Sequence, residues 1–230
     1  MGQSYQHILV RAPVEDVLRD VRPDDEGWVF PLPGGSTVLF MDEREQNLDE
    51  EAARLSAAGG PDTMTVGVIT SDRLLMNVYS NGELVHEYDS EPHTDRPMEP
   101  DAMLVLRYTD DGTEVDWDAI PTIGADPDWF LPFGVANADR DTLVDALTKR
   151  SLSAEGQHAH LLFALGLPDA IMTGGHYIKY GIEIGNPHEY ERLADAIAFG
   201  DAPPIPEPVP EPEFRPWRLT TPSELHEGTP

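Results

Sequence analysis

No cysteine occurs anywhere in the chain. That excludes disulfides, thiol nucleophiles and cysteine-ligated zinc, and it suits a reducing, cytoplasmic setting. Lysine is nearly as scarce, with Lys149 and Lys179 the only two among 15 basic residues. Against these stand 43 acidic residues, for a formal net charge of -28. So negative a surface repels nucleic-acid backbones and anionic lipid heads, and no basic patch exists to hold either. No apolar run approaches the ~18 residues that a membrane-spanning helix needs. The opening stretch MGQSYQHILVRAP lacks a charged region followed by an apolar one, which predicts no secretory signal. Gln6 stands where a myristoylation signal requires Ser or Thr. A soluble cytoplasmic protein is expected, with neither nucleic acid nor membrane as partner.

Motifs of catalysis are missing too. Ser36 follows Gly34-Gly35 but lies outside any GxSxG elbow, and no Ser-x-x-Lys occurs. No glycine run matches a phosphate cradle or a dinucleotide fingerprint. The reading is of a non-enzymatic protein without a cofactor.

What is present is a strong set of apolar segments, 40% of the chain before glycine is counted. High charge alone would suggest disorder, but these segments predict a folded body. Residues 5–12 read as a buried strand. Pro13 opens a helix over 13–21, with Val14, Val17, Leu18 and Val21 on one face. Strands at 27–31 and 36–42 flank the Pro33-Gly34-Gly35 turn, and a helix over 48–57 takes Asn47 as its N-cap. Runs at 63–70, 73–80 and 83–89 are rich in β-formers, with Asn81-Gly82 supplying a type I′ hairpin turn between the last two. A further strand is expected at 102–109, helices at 139–150 and 153–165, a strand at 176–184 and a last helix at 188–199. Prolines crowd the chain from 201 onward and exclude helix or central strand there. The expected fold is α+β: one domain over 1–200, with an antiparallel sheet of about five or six strands, helices on one face and a helical C-terminal portion. A proline-rich acidic tail occupies 201–230.

Histidine is the first place to look for a metal. His158 and His160 are two apart, which places them on different faces of a helix, and His176 follows a Gly-Gly turn. A zinc site built from His176 with His158 or His160 and a carboxylate is one option; satisfied or exposed histidines are the plainer one. His86-Glu87 and His188-Glu189 begin a metalloprotease pattern, but Ser90 and Arg192 stand where its second histidine belongs. Asn137, Asp139 and Asp141 have calcium-loop spacing, yet Thr142 and Thr148 replace the required glycine and glutamate. Those acids fit a helix N-terminus instead.

The segment 115–134 combines Trp117, Trp129, Phe130 and Phe133 with Asp116, Asp118, Asp126 and Asp128. Aromatic anchors set among carboxylates are what an interface for a basic protein needs, because rings bury area while carboxylates steer and pair with Arg or Lys. Asp116, Trp117, Asp118, Asp126, Asp128, Trp129 and Phe130 are therefore the candidate partner-binding residues. The plainer account is that the rings cap the core beneath a loop. Phe214 and Trp217, flanked by Arg215 and Arg218, pose the same choice in the tail.

The hairpin LLMNVYSNGELVHEYDS at 74–90, and LLFALGLP at 161–168 followed by Gly174-Gly175-His176-Tyr177, together resemble acidic α+β proteins of actinobacteria whose function is unassigned. The resemblance covers about half the chain and implies a shared fold and host class, with no functional residue to transfer. The leading functional expectation is an acidic binding protein for a basic partner, of the immunity-protein, antitoxin or nucleic-acid-mimic type. A metal-dependent hydrolase using His176 with His158 or His160 is the first alternative. An interaction module acting through the proline-rich tail is the second. A GC-rich genome or a salt-adapted cytoplasm would produce the same composition without any such function.

Overall fold

The computed structural model describes residues 4–22, 24–42, 46–91, 122–149 and 151–206. Its strands are β1 (Tyr5–Val10), β2 (Gly27–Pro31), β3 (Thr37–Met41), β4 (Thr63–Ile69), β5 (Arg73–Ser80), β6 (Glu83–Asp89) and β7 (Ile197–Phe199). They form one sheet in the order β6-β5-β4-β1-β3-β2-β7, antiparallel at every pairing. The α+β class and the antiparallel sheet are as the sequence predicts, and β1 to β6 fall within two residues of their expected bounds.

Side chains alternate across a strand, so β1 sends Tyr5, His7 and Leu9 to one face and Ile8 and Val10 to the other. All five are buried, as is every residue of β3. A sheet apolar on both sides must be covered twice. On one side lies α1 (Val14–Asp20) with α2 (Leu48–Ser56), packing Val17, Leu48 and Leu55 against Ile8, Leu39 and Met41. On the other lie α3 (Arg140–Thr148), α4 (Ala154–Leu165) and α5 (Gly175–Ile184), which enclose the larger core around Leu9, Phe40, Val66, Leu74 and Tyr88. The helices thus divide between two faces, a refinement of the one covered face expected.

Local chemistry fixes the helix ends. The Asn47 side chain accepts from the backbone N–H of Asp49 and of Glu50, Asp139 from that of Thr142, and Ser153 from that of Gly156. Pro13 is the N-cap of α1, one residue ahead of the first-turn position expected. Asp49 then ties α2 to the sheet. One of its carboxylate oxygens accepts from Thr65 at 2.8 Å, Tyr79 at 2.9 Å and Asn77 at 3.2 Å, spanning β4 and β5.

Two expectations are overturned. Residues 176–184 belong to helix α5 rather than to a strand. Their tyrosines and isoleucines favour a strand locally, but Gly174, Gly175, Ile178 and Gly181 are buried at helical spacing. Gly175 lies so close to β3 that an added Cβ would stand 2.1 Å from the Met41 carbonyl oxygen. Residues 188–199 are not a helix but two short 3₁₀ turns, Pro187–Glu189 and Glu191–Leu193, leading into β7. There Val29 pairs with Ile197 and Gly27 with Phe199, so the outer side of β2 claims a segment that local pattern reads as helical. The expected strand at 102–109 lies outside the described residues. Beyond β7, Ile205 packs on the larger core and the Trp28 indole donates to the Pro203 carbonyl at 2.9 Å.

Asn47→Ala should lower stability by about 1 kcal/mol in chemical denaturation, the usual cost of a lost N-cap. Gly175→Ala, a change that ordinarily favours helix, should destabilise instead because of the Met41 oxygen.

Candidate functional site

The described half of the acid-aromatic segment separates into interior and surface. Phe130 and Phe133 are fully buried in the larger core, and Phe130 meets Tyr88 edge-on at 6.0 Å. Phe130 therefore offers no surface to a partner. Trp129 is 38% exposed and stacks on His86 with ring centres 5.4 Å apart. Asp126 caps the turn Pro127–Trp129 by accepting from the Asp128 N–H, and Asp128 pairs with Arg140 at 3.0 Å. Asp116, Trp117 and Asp118 lie outside the described residues. Next to Trp129, the His86 imidazole meets the Gly124 carbonyl at 2.8 Å, and Ile123, Leu84 and Val85 are exposed around the outer strand β6.

The metal candidates do not assemble. His160 is exposed on α4 while His158, two residues earlier, is buried beneath it. His176 is buried in the first turn of α5, its ring 3.9 Å from that of Tyr177. Among the described residues no group of three or more His, Asp or Glu side chains is placed to hold a metal.

What His158 does meet is a pair of residues that sequence reading passed over, Tyr5 and His7 of β1. The Tyr5 hydroxyl and the His158 Nδ1 lie 2.9 Å apart, and the His7 and His158 rings are centred 5.5 Å apart. His7 and His158 are 0% and 1% exposed. The His7 Nδ1 sits 3.1 Å from the Thr173 carbonyl, which can only accept, so that nitrogen carries the proton. The Nε2 atoms of both rings are buried without a hydrogen-bond partner. The signal was in the strand's two-residue period: in YQHILV, Tyr5 and His7 point the same way as the core residue Leu9.

Burial dominates the protonation of this group. It lowers the His7 pKa to about 4, against a smaller upward pull from the Thr173 hydrogen bond. The His158 value falls well below its ordinary range, through burial first and then through His7. Burial pushes the Tyr5 hydroxyl up, helped by Glu155. Both imidazoles and the phenol are neutral in the fold near pH 7.

A polar cleft of about 390 Å³ opens beside this interior, with Asp169, Thr173, His188, Glu191 and Arg192 among its lining residues. Thr173 belongs to both, since it lines the cleft and its carbonyl holds His7. No family model, no curated protein and no solved structure matches the chain.

Two outcomes follow. In the unfolded chain a histidine binds its proton near pH 6.5, whereas His7 in the fold does so only near 4. Below pH 6.5 the unfolded state thus holds more protons, so stability is undiminished above that pH and falls as pH drops toward 4. The slope is about 1.4 kcal/mol per pH unit for each buried histidine. Denaturation of His7→Phe between pH 7 and 4 should show a slope shallower than wild type by that amount. Separately, Phe130→Ala should cost roughly 3–5 kcal/mol as a core cavity and Trp129→Ala far less, measured by the same denaturation.

Proposed function

We propose that the protein is a non-enzymatic binding protein for a basic protein partner, of the immunity-protein, antitoxin or nucleic-acid-mimic type. One observation carries the reading: every described lysine and arginine is already in an ion pair within the chain. Arg11 meets Asp62, Arg19 meets Asp16, and Arg22 and Arg54 share Glu51. Arg73, Arg140 and Lys149 pair with Asp89, Asp128 and Asp145. Lys179 lies between Glu26 and Asp42, and Arg192 faces Asp169. The positive charges of the described residues are thus spent within the chain.

Exposed carboxylates stand on the α1 and α2 layer, with Glu15, Asp20, Asp24 and Glu50 among them. Nearby, Glu51 above all, then Asp25 and Asp20, raise the pKa of Arg54. A field of this sign speeds encounter with a cationic protein by ~10–10³-fold and weakens as salt rises. On the opposite side of the sheet, Trp129 is exposed with Ile123 beside Asp126 and Asp128, a second surface that joins an aromatic ring to carboxylates.

The test sets function against mere composition. Immobilised protein is offered the host proteome at low and high salt, and the association rate of any retained protein is then measured. The expected result is a basic protein held at low salt, associating at least about tenfold more slowly at high salt. The triple change Glu15→Lys, Asp24→Lys and Glu50→Lys should reduce that rate, whereas three reversals at carboxylates far from the contact should not. Failure to retain any basic protein at low salt overturns the proposal.

A further inference from the structure

The tip of the β5–β6 hairpin carries a reactive pair that the binding role leaves unused. Asn81 is the one asparagine in the sequence followed by glycine. We propose that Asn81 is a site of spontaneous deamidation, gated by the Ser56 hydroxyl of α2, which restrains the attacking nitrogen of Gly82. The inference stands independently of the binding function.

The reaction needs no enzyme. The Gly82 backbone nitrogen gives up its proton and attacks Cγ of the Asn81 side chain. An N–Cγ bond forms, the Cγ–Nδ2 bond breaks, and ammonia leaves with that proton, which closes a five-membered succinimide. Water then opens the ring at either carbonyl, giving aspartate or isoaspartate. Glycine favours the attack because it carries no Cβ to crowd the nitrogen. Asn81 itself is exposed, so water reaches its amide, and the Asn81 Nδ2 has only a long contact of 3.5 Å with the Ser80 hydroxyl.

The fold opposes the attack twice. Asn81 and Gly82 have φ of 53° and 83°, the left-handed pair that a type I′ turn demands. Ring closure requires rotation about the Asn81 ψ angle, which the pairing of Ser80 with Glu83 across the turn restrains. The second restraint is Ser56, fully buried on α2. Its hydroxyl donates to the Ala53 carbonyl at 3.0 Å, so toward Gly82 it can only accept, and it receives the Gly82 N–H at 3.1 Å. That oxygen stabilises the protonated nitrogen and repels the anion that attack requires. The tip also lies against the helix, since a Cβ added at Gly82 would stand 3.3 Å from the Ala57 Cβ. Deamidation therefore runs through lifting of the tip away from α2. Each event adds a negative charge, and isoaspartate also lengthens the backbone of a two-residue turn that sets the register of β6.

The full chain is incubated at neutral pH, native and in guanidinium, and the aspartate and isoaspartate forms of the peptide spanning Asn81 are followed by mass spectrometry. In the unfolded chain Asn81 should convert ahead of Asn47, Asn77, Asn137 and Asn186, and at least about tenfold faster than in the fold. Ser56→Ala, which removes one hydrogen bond at the tip, should speed native-state conversion by about three- to tenfold. Ser153→Ala removes the N-cap of α4 on the opposite side of the sheet and should leave the rate near that of wild type. Hydrogen exchange in the native protein should show the Gly82 N–H protected, a readout that needs no variant. Equal rates in fold and denaturant, an unprotected Gly82 N–H, or no lead of Asn81 over the other asparagines would each overturn the assignment. So would equal acceleration by Ser56→Ala and Ser153→Ala, which would place the reaction in the globally unfolded chain.

Discussion

Burial of both faces of β1 and β3 is the constraint from which the rest of the architecture follows. Each Val, Leu or Ile removed from water contributes about 1.5–3 kcal/mol, and these central strands present such residues on both sides. One helix layer can satisfy only one side. The chain accordingly sends α1 and α2 to the first and α3 to α5 to the second. Polar groups within this double core are mostly matched. Thr37 donates to the Ala12 carbonyl and Thr63 to the Ala52 carbonyl, while Thr65 meets Asp49. The two free imidazole nitrogens of His7 and His158 break that rule. A buried polar atom left unmatched costs about 1–3 kcal/mol, and this cost falls beside the core residue Phe40.

Charge plays the opposite part. Exposed ion pairs are worth about 0–1 kcal/mol, and most of the pairs here are exposed, Arg19 with Asp16 and Lys149 with Asp145 among them. The fold rests on its apolar layers, and the surplus of carboxylates adds only self-repulsion. Arg73 is the instructive exception. It grips Asp89 through two parallel bonds of 2.9 and 2.6 Å at the end of β6, in a largely buried setting where such a fork gains strength. Acidity beyond what the structure uses requires an explanation from outside the fold, and the proposed cationic partner is one.

Legibility in the sequence tracked the range of the interactions involved. Asn47 and Asn81-Gly82 act within a few residues of themselves, and the elements they bound were readable. β7 depends on β2 far upstream, and α5 depends on a close approach to Met41, so local pattern misassigned both. The surface residues Asp126 and Asp128 were visible as acids, but their engagement by a turn N–H and by Arg140 was not. His158 was noticed for its spacing to His160, the one neighbour it turns away from. Its true partners, Tyr5 and His7, lie about 150 positions earlier on a strand whose apolar character hid them.

The loop before α5 joins the molecule's surface to this interior. Ile171 is fully buried, the Thr173 N–H returns to the Ile171 carbonyl at 2.8 Å, and the Thr173 carbonyl receives His7. The same stretch, with Asp169, Met172 and Thr173, forms a wall of the cleft. Its backbone is therefore held from within by a strand side chain and touched from without by whatever occupies the cleft. A shift of Thr173 large enough to release His7 would leave a further buried polar atom unmatched, at a cost of about 1–3 kcal/mol. The imidazole pair and the cleft are in this sense two sides of one packed wall, joined at Thr173.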